Sequence, residues 1–322
     1  MIHARGLART FVTGRGAKQQ EIVAVAGVDL DVAEGEIVGF LGPNGAGKTT
    51  TLRMLTTLLK PTAGTATVVG HDLATEHTAI RRAIGYVSQN GSTSSLAVAG
   101  NEVVDHAMLY GISRAQAVAR GQELFEQLDL GGLWQRPVKA MSGGQRRRLD
   151  IVMGLVHDPR LVFLDEPTTG LDPQARANLW THIAALREER GATVFLTTHY
   201  LDEADALCDR VLVIDHGRIV AADTPDALKR QVAGDLVALT LAAHEHVPAA
   251  ARTLAAVAAG EVSAEGLVVS ARVADGGAEL PRLLRALDEA GAHPASIEVR
   301  RPTLDDVFLT MTGRSLRDEA AA

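Results

Sequence analysis

Nine consecutive residues, Gly42-Pro43-Asn44-Gly45-Ala46-Gly47-Lys48-Thr49-Thr50, set three glycines against a lysine and two hydroxyls. Gly42, Gly47, Lys48 and Thr49 satisfy the spacing G-x-x-x-x-G-K-[ST]. Glycines there let successive backbone N–H groups turn inward onto phosphate oxygens. Lys48 can reach the terminal phosphates of a nucleoside triphosphate, and the Thr49 hydroxyl can ligate Mg2+. Asp165 and Glu166 follow 117 and 118 residues after Lys48, at the end of the apolar run "RLVFLDEP". Asp165 suits the hydration shell of Mg2+, and Glu166 suits a base that orients and deprotonates a water. The plainer alternative is an acid pair capping the next loop. A third group lies in "MSGGQRRRLDIVMG", where Ser142 is a good N-cap and Gly143-Gly144 leave backbone N–H groups bare at a helix start. It is either an ordinary cap or a second phosphate site. One triphosphate needs one cradle per chain, so a second cradle implies closure by another copy.

These groups need elements to hold them. "EIVGFLGPNG" reads as a buried strand entering a turn, and "GKTTTLRMLTTLL" as a helix closed by Lys60-Pro61. "RLVFLDEP" and "ATVFLTTHY" are further strands, each followed by a helix, and "VLVIDHGRIVAAD" reads as a hairpin turning at His216-Gly217. Such alternation predicts an α/β fold with a parallel sheet covered on both faces. Residues 91–159 read instead as helix after helix, an inserted helical subdomain. From Asp223 the order becomes β-α-β-β-α-β, which predicts a small α+β domain of the ferredoxin-like kind. The boundaries expected are therefore 1–222 and 223–322.

Bulk properties narrow the class. A chain of 322 residues suits roughly two domains, and 46% hydrophobic residues supply a sizeable core. Aromatics make up only 3%, so Ala, Val and Leu must do most of the packing. A net charge of −7 argues against a nucleic-acid partner. Cys208 is the single cysteine, so no disulfide forms within the chain. "MIHARGLARTF" lacks the apolar core of a signal peptide, and no stretch approaches the ~18 apolar residues of a membrane span.

The three groups occur together as "GPNGAGKTT", "SGGQ" and "LVFLDEP", and over residues 1–222 the chain resembles the ATP-binding subunit of an ABC transporter. The resemblance implies a P-loop NTPase core with an antiparallel β subdomain beside the helical one, and ATP and Mg2+ as ligands. Two such subunits, here two copies of the chain, stack head to tail, each burying ATP between its own P-loop and the other's Ser142-Gly143-Gly144-Gln145. Carried over by position, Phe11 matches the aromatic that stacks on adenine, although a core strand residue is the local alternative. Gln89 in "GYVSQN" matches a glutamine that touches Mg2+ or water; alone it reads as a turn residue. Asp172 in "TTGLDP" matches a loop that meets the opposite subunit, and an N-cap before Pro173 is an equal local reading. His199, 33 residues after Glu166, matches the histidine on the γ-phosphate; alone, a strand-end His is more often structural. Lys48, Glu166 and His199 are thus the expected catalytic set, with Thr49, Gln89 and Asp165 at the metal. Met141 replaces the Leu that usually opens the signature, and Phe11 the common Tyr.

Within that family "RRRLDIVMGLVHDPRLVFLDEPTTGLDP" and "RRPTLDDVFLTMTGR" resemble the daunorubicin-resistance type of drug-exporter ATPase. That resemblance implies a separately encoded membrane permease, a peripheral position on the cytoplasmic face of the membrane, and a C-terminal accessory or regulatory domain. The competing reading is a soluble ABC ATPase working on ribosomes or nucleic acid. Such proteins usually carry two ATPase halves or a long coiled coil, and this sequence has neither.

Overall fold

Residues 1–14, 20–232 and 234–313 are described by the computed structural model of the chain. They divide into two compact units, the change falling between Pro225 and Asp226. The first unit is built on two sheets. Strands β1 (Ile2–Thr13), β2 (Gln20–Val32), β4 (Ala63–Val68) and β5 (His71–Asp72) form an antiparallel sheet in the order β2-β1-β4-β5. The second has six strands: β3 (Ile37–Leu41), β6 (Ile84–Val87), β7 (Leu161–Asp165), β8 (Thr193–Thr198), β9 (Arg210–Asp215) and β10 (Arg218–Asp223). Its order is β10-β9-β3-β8-β7-β6, parallel throughout except for the β9–β10 hairpin.

β3, β7 and β8 are buried along their whole length, as expected for central parallel strands covered on both faces. Three of the six phenylalanines meet there. Phe195 lies 5.6 Å from Phe40 and 5.7 Å from Phe163, both tilted, and all three are fully buried. Helix α1 (Lys48–Leu55) follows β3 but is shorter than its apolar pattern suggests. Thr57 turns left-handed at φ 63°, and Leu58 N and Leu59 N both donate to Arg53 O. The helix therefore ends a turn before Lys60-Pro61. α2 (His77–Ala83) leads into β6, and α3 (Ala99–Leu109), α4 (Arg114–Gln127) and α5 (Gly143–Leu155) fill the stretch before β7. α6 (Pro173–Arg190) ends on left-handed Gly191, and α7 (Leu201–Leu207) joins β8 to β9.

In the second unit, α8 (Pro225–Gln231) precedes a sheet of β11 (Asp235–Leu241), β12 (Ser263–Glu265), β13 (Val268–Val273) and β14 (Pro294–Arg300), all antiparallel in the order β12-β13-β11-β14. α9 (Val247–Ala255) and α10 (Gly276–Glu289) bury Ala250, Leu254, Leu283 and Leu287 against Val237, Leu239, Val269 and Ala271. α11 (Leu304–Thr312) closes the described chain with a capping box between Thr303 and Asp306. Among the described residues no helix is long and apolar enough to cross a membrane.

Candidate functional site

The carboxyl ends of β3, β8, β7 and β6, neighbours in the sheet, deliver the P-loop, His199, Asp165-Glu166 and Gln89 to one edge. Ligands of open α/β sheets bind at that edge. The loop from Gly42 to Gly47 needs its glycines for two different reasons. Gly47 caps α1 at φ 106°, which a side chain would strain. At Gly42 a Cβ would sit 2.3 Å from Ile214 O, so the loop can leave β3 only as glycine. Gly45, at φ 79°, has open space where its Cβ would be. Pro43 O accepts from Ala46 N at 3.2 Å, closing the turn around Asn44. Thr50 follows Thr49 in the first turn of α1.

Lys48 is 4% exposed. Its Nζ donates to Gly42 O at 2.7 Å and Pro43 O at 3.0 Å and lies 3.4 Å from Glu166 Oε1. Burial pulls its pKa below the usual lysine value, against the opposing pull of Glu166 and Asp165. Asp165 Oδ1 accepts from the Thr197 hydroxyl at 2.7 Å and the Thr49 hydroxyl at 3.1 Å. The two expected metal residues Thr49 and Asp165 are thus in contact.

Glu166 is the hub. Its Oε2 accepts from Gln89 Nε2 at 3.0 Å and from the Thr169 hydroxyl at 3.1 Å, and His199 Nδ1 lies 3.2 Å away. Burial pushes its pKa up, but the His199 ring, the Lys48 ammonium and the Thr169 hydroxyl outweigh it and hold the carboxyl down at about 2. The backbone here is left-handed, at φ 44°. Glu166 N donates to Thr197, to its carbonyl at 3.1 Å and its hydroxyl at 3.0 Å.

Ser142, Gly143, Gly144 and Gln145 stand apart from this cluster, at the start of α5. Ser142 and Gln145 form a reciprocal capping box, with Gln145 N donating to Ser142 Oγ at 3.2 Å and Ser142 N to Gln145 Oε1 at 2.9 Å. Ser142, Gly143 and Gly144, together with Gly170, Asp172 and Arg148, line an open groove of about 510 Å3. Asp172 caps α6 through Ala175 N at 2.8 Å, with Pro173 at the first helical position, so its local reading holds. Met141 is buried. Phe11 lies on β1 opposite Ile22, half-buried, with the Arg9 guanidinium 4.7 Å from its ring centroid.

Three participants were not visible in the sequence. Thr169 meets Glu166 from the turn that follows β7, and the pairing of β7 with β8 brings Thr197 to Asp165 and to the Glu166 N–H. Arg147 stands in a run of three arginines, which carries no signal of burial, yet it is 7% exposed, with Nη1 donating to Ser88 O at 2.6 Å, Nε to Pro167 O at 2.7 Å and Nη2 to Asp165 O at 3.1 Å.

Residues 25–169 match the ABC transporter family. The chain is 41% identical over 318 residues to the daunorubicin resistance ATP-binding protein DrrA3 of Streptomyces coeruleorubidus, covering 98% of this chain and 100% of that protein. It is 42% identical over 299 residues to the daunorubicin/doxorubicin resistance ATP-binding protein DrrA of Streptomyces peucetius, covering 92% and 90% respectively. Among solved structures, a dimeric ATP-binding cassette in a post-hydrolysis state bound to ADP and phosphate superposes with a TM-score of 0.63 at 27% identity, over 70% of this chain and 98% of that one. The glycine loop with its lysine and the acid pair lie within the matched residues, and the chain belongs to the ABC transporter ATP-binding proteins of the daunorubicin/doxorubicin-resistance type.

Proposed function

We propose that the chain is the ATP-hydrolysing subunit of an exporter for a drug, antibiotic or lipid-like molecule, working through a separately encoded permease on the cytoplasmic face of the membrane. The observation that carries the catalytic part is the convergence of Lys48, Gln89, Thr169 and His199 on the Glu166 carboxylate. Export rests on the similarity to resistance proteins along nearly the whole chain, C-terminal unit included. The sheet order and helices of that unit support a ferredoxin-like domain of accessory or regulatory role, distinct from the ATPase domain.

On this reading Lys48 exchanges the Gly42 and Pro43 carbonyls for phosphate oxygens, and the N–H groups of the loop and of α1 cradle the same phosphates. Glu166 takes a proton from the attacking water, and His199 and Gln89 fix that water and the terminal phosphate. Among the described residues no cluster of three or more His, Cys, Asp or Glu is suited to hold a metal alone. That fits Mg2+, which keeps several waters and binds through one or two protein oxygens plus substrate phosphates. Thr49 and Asp165 would hold it, with Gln89 beside them. When bound, the ion neutralises charge between the terminal phosphates. Phe11 stacks on the adenine, and Ser142 to Gln145 and Asp172 complete the site of a second copy.

The test is ATP hydrolysis by the purified chain, together with its recovery from detergent-solubilised membranes of its host. Wild type hydrolyses ATP, Glu166→Gln does not, and both co-purify with a polytopic protein in stoichiometric amount. Recovery with ribosomes or nucleic acid and no membrane protein would overturn the transport reading.

A further inference from the structure

Glu166 sits in a backbone conformation that a non-glycine residue rarely adopts, φ 44°, and something must hold it there. Thr197 does so from β8, through the Glu166 N–H. On the other side the holder comes from α5, the helix whose start carries Ser142 to Gln145. Arg147 crosses from α5 and places its fork on three carbonyls at once: Asp165 before Glu166, Pro167 after it, and Ser88 in the neighbouring loop. A planar guanidinium can span three acceptors in fixed directions, whereas a lysine ammonium is a point charge on a flexible stem.

One turn on, at i+3 on the same face of α5, lies Asp150. Its Oδ1 accepts from Ser92 N at 3.0 Å. Gly91, at φ 74°, passes so close that a Cβ there would meet Asp150 Oδ2 at 2.7 Å. The loop from Ser88 to Ser92 is thus held at its first carbonyl by Arg147 and at its last N–H by Asp150. Between them is Gln89, whose side chain donates to Glu166 Oε2. Backbone and carboxylate of Glu166 are therefore both referred to α5, one directly and one through Gln89.

We infer that Arg147, assisted by Asp150, is a positioning residue through which the helix bearing Ser142 to Gln145 aims Glu166 for hydrolysis. A displacement of that helix, such as a second copy's ATP docking on its start would cause, reaches the backbone on either side of Glu166 directly through Arg147 and its carboxylate through the loop that carries Gln89. The inference rests on Glu166 being the base.

The test uses the purified full chain and separates kcat from KM. Arg147→Lys keeps the charge but cannot hold three carbonyls. It lowers kcat ~10–100-fold, because a shift of about 1 Å in a catalytic group is enough for that, while KM for ATP stays within about twofold because Lys48 and its loop are untouched. Asp150→Ala frees Ser92 and lowers kcat about tenfold, and Asp150→Asn, which keeps the acceptor, restores it. A folded Arg147→Lys chain with wild-type kcat, or with the whole loss in KM, overturns the inference. Should Arg147→Lys fail to fold, Asp150→Ala at wild-type kcat overturns it alone. The base itself is checked in the same assay: if Glu166→Gln hydrolyses ATP like wild type, the assignment of Glu166 fails and takes the positioning role with it.

Discussion

A carboxyl held at about 2 is fully ionised at neutral pH but a poor proton acceptor, because an acid that weakly holds its proton weakly attracts one. The neighbour responsible in part is Lys48, 3.4 Å away, and Lys48 is the residue that a triphosphate would draw off. On the proposed reading substrate binding raises the pKa of Glu166, because it draws off one positive charge and adds a triphosphate whose negative charge exceeds that of one Mg2+. The acid limb of the kcat–pH profile is expected well above about 2, whereas the ligand-free carboxyl, followed by NMR, titrates there; coincidence of the two would remove this activation. The same depressed value has a consequence for folding. Its pKa rises to the ordinary 4.5 on unfolding, so the ionised form stabilises the fold fully above that value, and the contribution is lost as pH falls from 4.5 towards 2. The Tm difference between wild type and Glu166→Gln should then move against wild type as pH falls through that window. Lys48→Ala removes charge-assisted bonds to phosphate and should weaken ATP binding by ~10–100-fold. Unchanged affinity in a titration would take away its assigned place.

Elements bring such residues together, and here the helices before β7 give a sharp case. Trp134 wedges between α3 and α4 where two glycines make room: a Cβ on Gly100 would lie 2.3 Å from Trp134 Cε2, and one on Gly121 2.6 Å from Cη2. Phe125 meets the same ring edge-on at 4.9 Å. Gly100→Ala should cost ~1–3 kcal/mol by overpacking, despite raising helix propensity, and should change Trp134 fluorescence. A gain in Tm would mean the ring moves aside freely. Nothing in the sequence announces this contact, because Gly100, Gly121 and Trp134 are brought together only by tertiary packing. The glycine loop is the opposite case. Gly42 to Thr50 and Asp165-Glu166 were readable because their chemistry depends on local backbone, on a glycine's freedom or a strand's end. Arg147 was not, since a run of three arginines reads as a solvated face until α5 is laid against β7. The end of α1 misled for a similar reason: its apolar spacing continues to Leu59, but Thr57 turns the chain.

At the scale of the molecule the two features proposed to bind phosphate occupy different places in one chain. Lys48 and Glu166 sit together, while Gly143 and Gly144 line a separate groove with Asp172. On the proposed reading a single copy offers half of two sites, and the solved cassette it superposes on is dimeric. Glu166→Gln keeps the cradle and removes the base, so ATP should hold two copies together and light scattering should report a dimer. Gly143 allows a discriminating partner to that experiment. A Cβ there meets nothing within 4 Å, so Gly143→Asp leaves the monomer's packing intact. It also sets a carboxylate at a helix N-terminus that would otherwise receive phosphate. Like charges facing each other across a desolvated interface cost several kcal/mol, enough to abolish association at micromolar protein. The double variant Gly143→Asp, Glu166→Gln should therefore bind ATP through its intact P-loop, with the affinity of a monomer, and stay monomeric. Dimers formed by the double variant would mean that the surface joining two copies lies elsewhere, and that the groove beside Asp172 serves a single chain.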